Sequence, residues 1–166
     1  MKATVRQWLM DEGAILKEAP IREADWAWEI QFPKQPFRLI AMNPIGKEDL
    51  VVIMANQEIA PKLVEKLEGL PDPAYKAFET DLRLDLNKRP PETGFVQNEK
   101  RRVWRIQHSV PIREDGLTAD YLARSVRHIL RNLYHVELWL VKAFGAPPSE
   151  IKAFPMRPKS DLNLDF

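Results

Sequence analysis

The spacing of apolar residues changes along this chain in a fixed order, and that order constrains the fold more than any single residue does. Apolar positions at helical spacing come first. Period-two segments follow, then a helical insertion, two more strand-like segments and one long amphipathic helix. A proline-broken tail closes the sequence. This succession predicts an α+β fold. An antiparallel sheet, made of a three-strand meander plus a strand pair, packs against an N-terminal and a long C-terminal helix, with a helical insertion in between.

Val5, Trp8, Leu9, Ile15 and Leu16 share helical spacing and predict a first helix from Thr4 to Glu18, stopped by Pro20. Gly13 falls in its middle. Trp26, Trp28, Ile30 and Phe32 then alternate with Asp25, Ala27, Glu29 and Gln31, the pattern of a half-buried antiparallel strand. Pro33 and Pro36 bracket a turn into a second strand, Phe37 to Met42. Asn43-Pro44-Ile45-Gly46 supplies the next turn, with Gly46 free to take a positive φ. The third strand, Leu50 to Ala55, is continuously apolar, which places it centrally in the sheet.

In the insertion, Ile59, Leu63, Val64, Leu67 and Leu70 form one stripe, ended by Gly69. Asp72-Pro73 reads as an N-cap followed by proline, opening a helix to about Lys88 that carries Tyr75, Phe78, Leu82 and Leu86. A short strand at Gly94-Phe95-Val96 turns at Asn98-Glu99-Lys100 into the last strand, Arg102 to Ile112. The final helix begins with a hydrophobic staple, Leu117 with Leu122, around the N-cap Thr118. Leu122, Val126, Ile129, Leu133, Val136, Leu140 and Phe144 make its narrow apolar stripe; Arg124, Arg127, His128, Arg131, His135 and Lys142 lie opposite. Gly145 and the pair Pro147-Pro148 end it. Residues 1–148 read as a single α+β domain and 149–166 as an extended tail.

Composition removes several classes of function. The formal net charge of +1 carries no strong polyanion signal, and the absence of cysteine excludes disulfides, thiolate zinc sites and cysteine nucleophiles. No apolar run approaches the roughly 20 residues of a membrane helix, and Met1 to Arg6 lack the apolar core of a signal peptide. A cytoplasmic protein without membrane contact is expected, needing neither metal nor organic cofactor.

The candidate chemistry is scattered. His128 and His135 stand two helical turns apart, roughly 10 Å, too far to share a metal without other ligands. His108 lies on the apolar side of its strand and reads as a hydrogen-bonded core histidine. Glu137 flanks the apolar stripe, where a half-buried carboxylate can hold a raised pKa. Asp81 and Asp85 share a helix face at i, i+4, but Arg83, Lys88 and Arg89 beside them make a solvated charged surface. There is no glycine-rich phosphate loop, nucleophile elbow or His-Glu-x-x-His sequence.

Two surfaces remain as binding leads. Arg101 and Arg102 at the hairpin, with Arg124, Arg127 and Arg131 on the last helix, offer phosphate contacts. Leu138 and Trp139 stand off the apolar stripe, and the tail adds Phe154, Met156, Leu162, Leu164 and Phe166; apolar groups without a core position mark protein interfaces. The expectation is a non-enzymatic protein-binding or chaperone-like adaptor. The alternatives are a nucleic-acid-associated factor on the basic helix face and an enzyme built from scattered residues.

In the run from Val103 to Ala143, a strand ending His108-Ser109-Val110-Pro111-Ile112 leads through Asp115-Gly116-Leu117-Thr118 into the amphipathic helix. This run, and the element order over residues 3–144, resemble type III secretion chaperone-like and YbjN-like proteins. The resemblance implies a homodimer and a protein-binding role without catalysis.

Overall fold

The computed structural model describes residues 1–88 and 91–145. The chain runs α1 (Lys2–Asp11), β1 (Ile15–Glu18), β2 (Ala24–Gln31), β3 (Arg38–Pro44), β4 (Leu50–Glu58), α2 (Pro61–Glu68), α3 (Asp72–Leu86), β5 (Glu92–Gln97), β6 (Val103–Arg113) and α4 (Ala119–Phe144). The expected α+β class holds. Six antiparallel strands form one sheet in the order β1-β2-β3-β4-β6-β5, so β4 lies inside it as its unbroken apolar run requires.

The N-terminal segment differs from the sequence expectation. The first helix stops at Asp11, and Ile15–Glu18 form an edge strand paired with β2 through Leu16 opposite Ile30. The break is Gly13, whose φ of +84° lies where a helix cannot continue and where only glycine rests without strain. A second, smaller difference is at α3: Pro71 occupies the N-cap position, Asp72 is the first helical residue and no side chain caps the end.

Two of the turns are fixed by side-chain amides. Asn43 Nδ2 donates to the carbonyls of Lys47 and Leu50, both at 2.7 Å, while Gly46 takes φ +76°. Asn98 Oδ1 accepts the N–H groups of Lys100 and Arg102, letting Arg101 turn the β5–β6 hairpin at φ +57°. Thr118 caps α4, its hydroxyl accepting from the Tyr121 N–H at 3.2 Å, and Gly145 closes the helix in the left-handed conformation.

All four helices pack on one sheet face, in two apolar clusters. One joins Val5 and Leu9 of α1 and the first half of α4 to Ile30, Leu39, Ile53 and Val110. The other joins α2, α3 and the second half of α4 to Val103 and Ile106. Leu122, Val126, Ile129, Leu133, Val136 and Leu140 of the α4 stripe are all buried, each contributing roughly 1.5–3 kcal/mol relative to exposure. Gln57 Nε2 ties β4 to the Leu133 carbonyl at 3.2 Å. No helix of the described residues is long and apolar enough to cross a membrane.

Candidate docking groove and the charged residues around it

Because α1 ends at Asp11, it covers only the first half of α4, and the β2–β3 turn stands beside both. Between them lies a groove of about 510 Å³. Its floor is apolar and buried: Leu9, Leu122 and Val126. Trp8, Phe32 and Leu130, each half-buried, form its walls. The rim is polar. Arg127 donates to Glu12 at 3.2 Å across the α1–α4 gap, and Lys34, at φ +69°, and Gln35 stand on the turn. The Tyr134 hydroxyl donates to Gln35 Oε1 at 2.6 Å, and the Tyr134 ring meets Phe37 edge-on at 4.7 Å, which anchors that turn to α4. The arrangement offers apolar burial below and hydrogen-bonding groups above, the pattern of a small-ligand or peptide-anchor site.

The basic residues expected to act together are divided. Arg102 is inside the fold: Nε donates to the Leu67 carbonyl at 3.2 Å and Nη2 to Asp72 at 2.7 Å. Arg101 is exposed beside it at the hairpin. Arg124 pairs with Asp120 on its own helix, Arg127 pairs with Glu12, and Arg131 is exposed. The hairpin packs near the second half of α4, whereas Arg124 and Arg127 belong to the first, so no single basic surface joins the two sets.

Of the apolar candidates, Leu138 is 66 % exposed, with Tyr134 one turn earlier 38 % exposed. Trp139 instead meets Phe78 of α3 edge-on at 4.9 Å, and Phe78 also touches Phe144 at 5.4 Å, an aromatic seam between α3 and α4. Phe154, Met156, Leu162, Leu164 and Phe166 lie outside the described residues.

The titratable groups are placed apart. His108 is fully buried; Nδ1 lies 3.4 Å from Thr93 Oγ1, Nε2 has no hydrogen-bond partner among the described residues, and burial pushes its pKa down to about 4. Burial pushes the Glu137 carboxyl up to about 7. Asp85 Oδ2 of α3 and His135 Nε2 of α4 meet within hydrogen-bonding distance, a contact which the sequence did not announce because the partners are far apart in the chain. Two positions along a helix turn the direction by roughly 200°, so Glu137 faces away from that pair. Among the described residues no three His, Asp or Glu side chains converge on a possible metal position.

The fold and groove define a class: an open antiparallel sheet with all its helices on one face and no assembled catalytic constellation among the described residues. The family model for an uncharacterized conserved protein (DUF2299) matches residues 1–140, and the chain belongs to that family. A crystal structure of an uncharacterized protein from Methanothermobacter thermautotrophicus has a similar fold, with a TM-score of 0.78 at 22 % identity over 87 % of this chain and 99 % of that one. YbjN from E. coli, described as a candidate transcription regulator, is similar with a TM-score of 0.50 at 18 % identity, over 86 % of this chain and 92 % of that one. These likenesses establish a YbjN-like fold. No curated protein matches the chain.

Proposed function

We propose that this protein is a non-enzymatic, chaperone-like adaptor that holds an apolar segment of another protein in the groove between α1 and α4. It acts as a homodimer in the cytoplasm. The observation that carries this reading is the buried apolar floor beneath a polar rim. Leu9, Leu122 and Val126 can take apolar side chains, while Lys34, Gln35 and the Glu12–Arg127 pair can hydrogen-bond the backbone of a bound segment. Leu138 and Tyr134 supply the twofold contact, since one exposed patch on each copy suffices for an isologous dimer.

The test is a binding experiment with two arms: labelled peptides of alternating apolar and polar residues, and mixed-sequence duplex DNA. Peptides should bind, change the fluorescence of Trp8, and lose about tenfold or more in affinity in Leu130→Asp, the loss of one well-packed apolar contact. Failure of every peptide to bind would sink the adaptor reading. DNA binding that weakens steeply with salt and disappears with Arg124→Ala and Arg131→Ala would replace it by the nucleic-acid reading.

A further inference from the structure

α3 and α4 lie side by side, and each turns an exposed leucine and an exposed charge away from the sheet. Phe78 meets Trp139 and Phe144, while Asp85, farther along α3, meets His135, earlier on α4, so the two helices run antiparallel. At roughly 100° per residue, Asp81 and Leu84 are turned about 40° and 100° from Asp85, away from the buried Leu82 and Leu86. Lys142 and Leu138 are turned about 20° and 60° from His135, away from the buried Val136 and Leu140. Leu84 is 59 % exposed and Leu138 66 %, and Asp81 and Lys142 are exposed beside them. Among the described residues neither Asp81 nor Lys142 has a salt bridge within its own chain.

We propose, resting on the homodimer reading above, that the second copy docks on both helices at once: Leu84 of each copy packs against Leu138 of the other, and Asp81 of each pairs with Lys142 of the other. One chain carries both halves of the match, an apolar and acidic set on α3 and an apolar and basic set on α4. A twofold axis running along the α3–α4 seam lays α3 of one copy over α4 of its partner at the same height, so each set meets its complement twice. The heights agree. Counted along the seam from the Asp85–His135 contact at about 1.5 Å per residue, Leu84 and Asp81 stand about 1.5 and 6 Å away, and Leu138 and Lys142 about 4.5 and 10.5 Å away on the same side. The two leucines are thus offset by about 3 Å and the two charges by about 4.5 Å, within the reach of these side chains. The leucines form the desolvated centre and the opposite charges the rim, the usual division of a protein interface.

Charge reversal with mixing tests the contact in the full chain, with the dimer dissociation constant read by sedimentation at low salt. Asp81→Lys sets lysine against lysine at both contacts, and Lys142→Glu sets aspartate against glutamate. Each variant alone should dissociate at least about tenfold more readily than the parent, because like charges then face each other twice. Mixed in equal amounts, the two variants should form a heterodimer about as stable as the parent dimer, since both contacts then join opposite charges. Recovery on mixing also shows that both variants are folded, and a contact within one chain could not produce it. Leu84→Lys should weaken the dimer by about tenfold or more, as the loss of a central apolar contact does. A mixture that dissociates as readily as its components overturns the proposal. So does a dimer that Leu138→Lys disrupts but Leu84→Lys leaves intact; the homodimer reading then stands, with α4 alone forming the contact. A parent chain that is monomeric throughout the micromolar range overturns both.

Discussion

The guanidinium of Arg102 lies 4.2 Å from the ring centre of Tyr75, whose hydroxyl accepts the backbone N–H of the next residue, Val103, at 2.9 Å. Together with the Arg102 bonds to the Leu67 carbonyl and Asp72, this stack fastens the β5–β6 hairpin to α2 and α3. Arg102→Ala should therefore cost about 2–3 kcal/mol in urea unfolding, since a largely buried group loses several charge-assisted bonds at once. Arg102→Lys should recover only part, because an ammonium cannot stack on the ring while serving separated acceptors.

His108 sets one arm of the pH dependence. Its pKa in the folded state is about 4, below the ordinary value of 6.5. Between those values the unfolded chain binds a proton that the folded chain refuses, so stability falls as pH drops from 6.5 toward 4. The full effect is on the order of 3 kcal/mol. His108→Leu should remove this loss, seen as a shallower acid limb when stability is measured against pH.

Glu137 acts in the opposite sense. Its folded pKa of about 7 exceeds the ordinary 4.5, so the folded chain keeps a proton that the unfolded chain gives up. Its contribution is present below 4.5 and is lost as pH rises through 7. Glu137→Gln should match the parent at pH near 4.5 and exceed its stability at pH 8 by about 1 kcal/mol, a figure reduced for partial solvent screening. The two windows overlap, so each substitution should expose the slope due to the other residue.

The α1–β1 break rests on Gly13 alone. Among the described residues a Cβ there meets nothing within 4 Å, so the cost of Gly13→Ala comes from the backbone at φ +84°. A loss of about 1 kcal/mol in thermal or urea unfolding is expected.

The proposed twofold contact on the exposed side of α4 predicts that Leu138→Lys yields a monomer by light scattering at micromolar concentration, with its helical circular-dichroism spectrum retained. Trp139→Ala should instead lower stability, by about 2–4 kcal/mol, because it opens the seam with Phe78 and Phe144.

Much of this architecture can be read from the chain. The alternation around Trp28, the unbroken run of β4 and the Thr118-to-Gly145 limits of α4 are local patterns, and the structure follows them. Ile15 and Leu16 mislead because their spacing from Val5 and Leu9 fits a helix equally well; Gly13 decides the matter through its φ. The site is less legible. Glu12 meets Arg127, Gln35 meets Tyr134 and Asp85 meets His135 only through tertiary packing, so no local spacing announces the groove rim or the α3–α4 pair. Arg102 and Trp139 looked available in the sequence because both stand off the regular apolar pattern, yet Tyr75 and Phe78 occupy them.

The central claim is that apolar segments are held between α1 and α4. Amide and methyl chemical-shift mapping with a bound apolar peptide tests it most directly. The perturbations should concentrate on Trp8, Leu9, Phe32, Leu122, Val126 and Leu130, with the Trp8 indole N–H among the largest. Perturbations confined to Arg124, Arg131 and the Arg101 hairpin, with the groove residues unmoved, would contradict the account.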